Sequence, residues 1–297
     1  MLTSIDIRAA PSERGYHAQF GEDAIVDAIL EAAPALPGRP EGPPWVVEFG
    51  AWDGKHFSNT RRLIETQNAR GVLIEASDSR FADLKRQCER FENLTPVCAK
   101  VGWEGPDRLD AILAKTQCPE IFDVLSIDID GNDYHVWEAT ERYRAAIVVI
   151  EHNPTIPPHL PYVQPRDPDL HRGASLVSLV ELGFSKDYRL AAITEVNAIF
   201  VDYRVFPSLG IADNSIEALR DPEAAAPTWL CHGIDGRCFL MGSKSLHWHD
   251  VPMTDRRAQQ LPGWLHGHRD TLGSWSHAAL RFLGRHRGAD AKQETHG

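Results

Sequence analysis

The chain has 297 residues, of which 42% are hydrophobic and 25% charged, proportions of a soluble globular protein rather than a disordered one. Its net charge of −11 would repel the phosphates of nucleic acid. No apolar run approaches the roughly 20 residues of a membrane span and the first residues lack a signal-peptide core, so we expect a cytoplasmic protein that binds neither nucleic acid nor membrane.

The N-terminal segment, residues 1–44, is predicted to be helical. Ile25, Val26, Ile29 and Leu30 recur at helical spacing behind acidic residues, so an amphipathic helix is predicted from Glu22 to Ala33. The stretch PALPGRPEGPP then predicts a loop.

Residues 45–206 alternate short apolar runs with helical patterns. The runs predict parallel strands buried on both faces: WVVEFG, GVLIEA, LTPVCAKV, FDVLSID and AAIVVIEH. The segments that predict helices are SNTRRLIETQ, SRFADLKRQCERF, RLDAILAKT, NDYHVWEATERY and SLVSLVELGFS. YRLAAITEV and AIFVDYRVF then predict a tight hairpin. The expected fold is therefore α/β, a Rossmann-like doubly wound sheet of seven strands with the last strand antiparallel.

Residues 207–297 are predicted to form an irregular C-terminal extension, because the hydrophobic pattern weakens while Gly, Pro, Trp and His become frequent. We expect its tryptophans to serve packing or subunit contacts, which suggests a homo-oligomer assembled through the extension: Trp229, Trp248, Trp264 and Trp275. Its cysteines and histidines do not have the spacing of a structural zinc site: Cys231, His232, Cys238, His247, His249, His266, His268 and His277. The chain's five cysteines include no CxxC pair and are expected to stay reduced.

The turn after the first predicted strand, Glu48-Phe-Gly50-Ala-Trp-Asp53-Gly54, lies where open α/β sheets bind ligands. It lacks the second glycine of the dinucleotide fingerprint G-x-G-x-x-G, and its two carboxylates would repel a pyrophosphate and attract a cation. Glu75 ends the second strand, where a carboxylate can accept hydrogen bonds from both ribose hydroxyls of an adenosine. An adenosine with a cationic head indicates S-adenosylmethionine.

These motifs also carry a family resemblance. VVEFGAWDG, GVLIEAS and the seven-strand order resemble class I S-adenosylmethionine-dependent methyltransferases, and QFGEDAI, LSIDIDGNDYHVW and VVIEHNPTIP resemble the FkbM-like branch, over roughly residues 19–206. The resemblance implies methyl transfer to a hydroxyl of a sugar-like, glycan or other small-molecule acceptor. It places the cofactor's methionine part by Glu48, Gly50, Asp53 and Gly54 and its ribose by Glu75, with Ala76 and Asp128 beside them. Where the family commonly has DVEG, this chain has DIDGND.

The fourth and fifth predicted strands end on DIDGND and EHNP, and adjacent parallel strands end at one edge. Asp128, Asp130, Glu151, His152 and Asn153 are therefore expected in one crevice. The oxygen donors among them suit Mg or Mn, so Asp128, Asp130, Glu151 and Asn153 are candidate metal ligands, similar to the acids and Asn of catechol-type O-methyltransferases. The alternative is that Asp128 and Asp130 cap the following helix. An EF-hand loop is disfavoured, since its sixth and twelfth positions lack the required Gly and Glu.

His152 is the candidate general base, with Asp128 and Asp130 the other candidate catalytic residues, because an imidazole of pKa about 6.5 suits removal of a hydroxyl proton near neutral pH. An ordinary satisfied polar group is the alternative. The long segment that follows predicts a lid or binding loop. Its candidate acceptor contacts are His159, Tyr162, Gln164 and Arg166.

The sequence thus favours an S-adenosylmethionine-dependent O-methyltransferase. An NAD-dependent oxidoreductase would use the same Glu75 contact but normally carries the full glycine fingerprint. A non-catalytic cofactor-binding protein with a decayed site is the other alternative.

Overall fold

The computed structural model describes residues 16–221, 227–246 and 248–290. These residues fall into two compact units, residues 16–221 and residues 227–290. Residues 1–15 of the predicted N-terminal segment and residues 222–226, 247 and 291–297 of the predicted extension lie outside the described residues.

The first unit is built on a seven-stranded sheet in the order β3-β2-β1-β4-β5-β7-β6. Its strands are β1 Trp45–Phe49, β2 Arg70–Glu75, β3 Leu94–Cys98, β4 Ile121–Ile127, β5 Arg144–Glu151, β6 Tyr188–Ile193 and β7 Asn197–Asp202. The five strands β1 to β5 pair in parallel, whereas β7 runs antiparallel to both β5 and β6. The predicted strand count and the antiparallel last strand are confirmed.

Helices cover both faces of this sheet. One buried core joins apolar residues of α1 Glu22–Ala32, α2 Arg61–Gln67 and α3 Asp78–Cys88 to the sheet. The other joins α4 Leu109–Leu113, α5 Asp133–Ala139 and α6 Leu176–Ser185. Successive residues of β1 belong to different cores, Val46 to the first and Val47 to the second. Because side chains alternate along a strand, each strand must be apolar throughout, which is why the runs were readable in the sequence. The doubly wound prediction is confirmed.

The chain continues in the first unit with the short helix α7 Ile216–Leu219. The second unit contains more regular structure than the predicted irregular extension. Its elements are the antiparallel hairpin of β8 Thr228–His232 and β9 Cys238–Gly242, the pair β10 Ser245–Leu246 and β11 Val251–Pro252, and the helices α8 Asp255–Ala258 and α9 Ser274–Asp290.

The four tryptophans of the second unit are solvent-exposed, by 40% at Trp229 and up to 89% at Trp275. They therefore do not form a buried core, and their role in subunit contacts stays a prediction. Among the described His and Cys residues of this unit, no three side chains converge as metal ligands would. All five cysteines are free thiols. None of the helices described is both long and apolar enough to cross a membrane.

Candidate active site

The carboxyl ends of β1 and β4 meet at a backbone contact that only glycine permits. Gly50 has φ +74°, and a Cβ added there would lie 1.5 Å from the carbonyl oxygen of Asp128. The amide of Asp128 in turn donates to the Phe49 carbonyl over 3.3 Å. The site therefore forms at the point where the sheet order reverses, β1 leading outward to β2 and β4 leading to β5.

Backbone amides of the turn after β1 donate hydrogen bonds to carboxylate and carbonyl oxygens of the protein. Trp52 N donates to Glu75 Oε2 over 2.9 Å, and the amides of Lys55 and His56 both donate to Asp53 Oδ1. The amides of Ala51 and Gly54 donate to carbonyl oxygens. A phosphate cradle needs free amides that point at the ligand, and these amides are already engaged.

Glu48 lies behind this turn rather than in the open cleft. The buried carboxylate accepts hydrogen bonds from Ser58 Oγ at 2.6 Å, Asn59 N at 2.9 Å and Thr60 Oγ1 at 2.6 Å. Burial raises the pKa of Glu48, and these hydrogen bonds oppose the rise. Its clear role is to hold residues 58–60 at the end of β1; the cofactor contact implied by the resemblance stays a prediction.

Asp53 and Gly54 shape the outer side of the turn. Partial burial opposes ionisation of Asp53, but hydrogen bonds from His56 and Lys55 outweigh it and lower the pKa of this carboxyl. Gly54 has φ +73°, and a Cβ there would lie 2.7 Å from Leu84 Cδ1 of α3. The turn also presents Trp52, an exposed ring that sequence reasoning missed and that lies 4.9 Å from the Arg80 guanidinium carbon.

Glu75 ends β2 beside this turn. It is buried, and its two oxygens accept from Trp52 N at 2.9 Å and Ser77 N at 2.8 Å. A carboxylate oxygen has two acceptor positions, so each oxygen keeps one for a ligand hydroxyl. Ala76 follows it and is exposed. Glu75 therefore joins the two turns that border the cleft.

Three of the predicted crevice residues come together. Asp128, Asp130 and Glu151 each offer a carboxylate oxygen, and these oxygens all lie within 4.8 Å of one another. Desolvation by the surrounding protein, followed by repulsion from Asp133 and Asp130, raises the pKa of Asp128 to about 8, although its side chain keeps an exposed face. Burial and then Asp128 raise the pKa of Glu151 well above its ordinary value.

Asp133, rather than Asp128 or Asp130, closes the turn before α5. Its buried carboxylate accepts from the amides of Ile129 at 2.9 Å and Gly131 at 2.8 Å. Asp128 and Asp130 have no such role in the described hydrogen bonds, so the capping alternative is wrong for these two residues. Their carboxylates remain open to a ligand.

Asn153 and His152 do not join this group. Asn153 Nδ2 donates to the Arg172 carbonyl at 2.9 Å, and its Oδ1 accepts from both Thr155 N and Thr155 Oγ1. The prediction of Asn153 as a metal ligand therefore lacks a free donor atom. His152 is buried with Nε2 at 3.5 Å from the Thr194 carbonyl, and burial lowers the pKa of His152 to about 4.

The start of α1 adds further negative charge near the site, in the segment 19–23 that the resemblance places at the edge of the cofactor. Glu22 is fully buried and accepts from Thr194 Oγ1 at 2.6 Å and Asn197 Nδ2 at 3.0 Å. Its charge raises the pKa of Asp128, and the charge of Asp23 raises the pKa of Glu48. The carboxylates that act on this edge of the sheet are Glu22, Asp23, Glu48, Asp128, Asp130, Asp133 and Glu151.

The predicted lid, residues 154–175, is held in place by Gln164. This side chain is 1% exposed; its Oε1 accepts from the amides of Arg172 and Gly173, and its Nε2 donates to the Leu170 carbonyl. Gln164 is thus a structural clamp rather than an open acceptor contact. His159 and Arg166 are exposed and Tyr162 is half-buried, so their predicted contacts with an acceptor stay predictions.

The chain matches no family model and no curated protein. It is similar to the solved structure of a SAM-dependent methyltransferase from Aquifex aeolicus, with 8% identity over 60% of this chain and 87% of that chain and a TM-score of 0.37. It is also similar to a TehB-like SAM-dependent methyltransferase from Corynebacterium glutamicum, with 12% identity over 61% of this chain and 87% of that chain and a TM-score of 0.38. A third similar structure is precorrin-6y C5,15-methyltransferase from Geobacter metallireducens, with 16% identity over 66% of this chain and 94% of that chain and a TM-score of 0.39. Identities and TM-scores this low transfer neither residues nor activity.

Proposed function

We propose that the protein is an S-adenosylmethionine-dependent methyltransferase of the FkbM-like type that methylates a hydroxyl of a sugar-like or other small-molecule acceptor. The observation that carries this proposal is the group of carboxylates at the ends of β4 and β5, whose mutual repulsion a bound cation relieves. It lies beside a turn in which the amides of Ala51, Trp52, Gly54, Lys55 and His56 are already engaged. Such a site repels phosphate and attracts the sulfonium of S-adenosylmethionine. Glu75 supplies the acceptor oxygens for the ribose of the same cofactor.

The same observation disfavours the NAD-dependent alternative. A dinucleotide needs amides for its pyrophosphate, whereas Trp52, Lys55 and His56 donate theirs to Glu75 and Asp53. Carboxylates beside the turn would also repel the two phosphates.

In the proposed reaction the acceptor oxygen attacks the methyl carbon as the carbon–sulfur bond breaks, and the bond electrons stay on sulfur, giving S-adenosylhomocysteine. This chain contributes orientation of the two reactants and a carboxylate that can take the hydroxyl proton, at Asp130 or, above its pKa of about 8, at Asp128.

A divalent cation is a further part of the proposal. The oxygens of Asp128, Asp130 and Glu151 are the hard donors that Mg or Mn prefers. When bound, such a cation would lower the pKa of an acceptor hydroxyl.

The function is tested by thermal unfolding with S-adenosylmethionine, S-adenosylhomocysteine and NAD, followed by transfer of a labelled methyl group to a panel of methyl glycosides and small alcohols. We expect both sulfur ligands to raise the melting temperature and NAD to leave it unchanged. Stabilisation by NAD alone would favour the oxidoreductase. Tight binding of the sulfur ligands without transfer to any acceptor would favour the non-catalytic alternative.

Glu75→Ala is expected to weaken S-adenosylhomocysteine binding by about 1.5 to 3 kcal/mol, because a charged acceptor of ribose hydroxyls is lost. Isothermal titration calorimetry measures this change. Glu92→Ala removes an exposed carboxylate and serves as the control. Equal affinities for wild type and Glu75→Ala would reject the ribose placement.

Manganese titration tests the cation separately from turnover. We expect the cofactor-free protein to bind one Mn²⁺, and Asp130→Asn to weaken that binding at least about tenfold, since a charged ligand is lost. Asp169→Asn, an exposed acid of the lid, should bind as wild type does. If Asp130→Asn binds Mn²⁺ as wild type does, the proposed cation site is wrong, while the cofactor proposal stands.

A further inference from the structure

Part of the lid is a loop that its own hydrogen bonds close. Residues 164–173, which we call the strap, begin and end beside an antiparallel bridge. The amide of Gln164 donates to the Gly173 carbonyl oxygen over 3.1 Å. The side-chain Oε1 of Gln164 accepts from the amides of Arg172 at 2.8 Å and Gly173 at 2.9 Å. Because these bonds join the two ends of the strap, it can act on neighbouring residues as one body.

The strap contacts three consecutive residues of the turn that follows β4. Nδ1 of His171 donates to the carbonyl oxygen of Asp130 over 2.8 Å. In the opposite direction, Nδ2 of Asn132 donates to the carbonyl oxygen of Asp167 over 2.9 Å. Between them, a Cβ added at Gly131 would lie 2.6 Å from a carbonyl oxygen of the strap. Two hydrogen bonds and one close backbone approach therefore join the strap to the turn that carries Asp130.

Asp130 needs restraint because of its backbone conformation. Its φ is +56°, in the left-handed region that residues with a Cβ adopt rarely. Such a conformation persists only where the surroundings hold it. The Asp133 carboxylate accepts from the amides just before and just after Asp130, and the strap binds the carbonyl of Asp130 itself. A return to negative φ would redirect the Cα–Cβ bond and carry the Asp130 carboxylate away from those of Asp128 and Glu151, which now lie within 4.8 Å.

His171 holds Asp130 through a hydrogen bond rather than through packing. The His171 side chain is exposed, so it buries little apolar surface at this point. A carbonyl oxygen can only accept, so Nδ1 carries the proton in this contact. A substitution at position 171 therefore changes chiefly this one bond.

We propose that His171 is a positioning residue for Asp130, and that its bond to the Asp130 carbonyl keeps the Asp130 carboxylate in the group that it forms with Asp128 and Glu151. The inference rests on the proposed function, because that group is the proposed place of proton removal and cation binding. The lid then helps to build the reaction centre in addition to covering the acceptor.

The test compares His171→Leu with His171→Asn by amide hydrogen exchange, followed by NMR in ¹⁵N-labelled protein. The two replacements have similar shapes, but asparagine carries an amide nitrogen as many bonds from Cα as Nδ1 is, and leucine carries no donor. The amides of Ile129 and Gly131 report on the turn because both donate to Asp133. We expect them to exchange about tenfold faster in His171→Leu, the effect of one lost hydrogen bond, and at wild-type rates in His171→Asn.

Two controls separate this role from a general loss of stability. His159→Leu makes the same replacement at an exposed lid position outside the strap and should leave the turn at wild-type rates. The amides of β1 should exchange as in wild type in every variant. The proposal is wrong if His171→Leu speeds only the strap amides of Arg172 and Gly173, if it speeds β1 equally, or if His171→Asn behaves like His171→Leu.

Magnesium links the same exchange rates to the proposed cation. A ligand that binds only the closed turn suppresses its opening, so Mg²⁺ at ten times its Kd should slow the Gly131 amide about tenfold in wild type. Coupling is reciprocal, so the Arg172 and Gly173 amides of the strap should slow as well. This second effect should be weaker in His171→Leu and restored in His171→Asn. Strap amides that respond equally in both variants would contradict the coupling through His171.

The two proposals fail separately. If His171→Leu loosens the turn but Mg²⁺ changes no amide of wild type, the positioning role stands and the proposed cation is wrong. If Mg²⁺ slows the Gly131 amide but His171→Leu leaves the turn unchanged, the cation stands and the positioning role is wrong. S-adenosylhomocysteine affinity should be the same in all three variants, since its proposed contact is Glu75, and its absence in wild type would reject the methyltransferase alone.

Discussion

Gly50→Ala is expected to prevent the first unit from folding stably. A Cβ at this position would lie 1.5 Å from the carbonyl oxygen of Asp128 and 2.8 Å from its carbonyl carbon. Both atoms belong to the backbone just after β4, the strand that pairs with β1. No side-chain rotation can relieve the collision, so β1 and β4 would have to separate. We expect a loss of about 4 kcal/mol or more in the free energy of unfolding.

Gly21→Ala is the control for Gly50→Ala because it isolates the cost of the backbone conformation. Gly21 has φ +82°, close to that of Gly50, but a Cβ there meets no atom within 4 Å. It should lose about 1 to 2 kcal/mol, the cost of a left-handed conformation for a residue with Cβ. Urea unfolding followed by circular dichroism measures both variants. Equal stabilities would show that the approach of β1 to Asp128 does not require glycine.

Asp128→Asn is expected to stabilise the cofactor-free protein and to weaken S-adenosylmethionine binding. The raised pKa of Asp128, about 8, means that the folded protein holds this proton more tightly than the unfolded chain does. The contribution of Asp128 to the free energy of unfolding is complete below its pKa in the unfolded chain, near 3.8, and is lost as the pH rises toward 8. Asparagine does not titrate and so avoids that loss. The stability gained by Asp128→Asn over wild type should therefore be larger at pH 8 than at pH 5. Because the side chain is partly in solvent, we expect a rise of only a few degrees, about 2 to 4 °C, in melting temperature.

The binding effect of Asp128→Asn should depend on the charge of the cofactor. S-adenosylmethionine carries a sulfonium, whereas S-adenosylhomocysteine carries a neutral thioether. Above its pKa of about 8 Asp128 is a carboxylate, so at such a pH its loss should weaken binding of the first ligand about tenfold more than binding of the second. Calorimetry with both ligands measures this difference, and Asp169→Asn is the control because that acid lies exposed in the lid. Equal losses for the two ligands would contradict the placement of the sulfonium beside Asp128.

The strands, the crossover helices and the edge of the sheet that carries the candidate site residues could be predicted from the sequence because each rests on local signals. Val46 and Val47 are both apolar because the sheet is covered on both faces, so the strand appears in the sequence as an unbroken apolar run. The helix predicted at 22–33 is present and ends one residue earlier, at Ala32. Strand ends collect at one edge in any parallel sheet, which located Glu75 and Asp128 beside the first turn.

Only the tertiary structure decided which way the polar groups at that edge point and what they bind. Successive residues of an extended chain face opposite sides, so Glu151 joins the carboxylates while His152 lies against the Thr194 carbonyl. Glu22 meets Thr194 across 172 positions of sequence. A buried polar group must find a partner, and long-range packing supplies it: Glu48 became an anchor, and Asn153 and Gln164 became clamps of the lid. The sequence by itself determined which edge of the sheet collects the candidate carboxylates, and the packing of distant segments decided which of these side chains remain free to act.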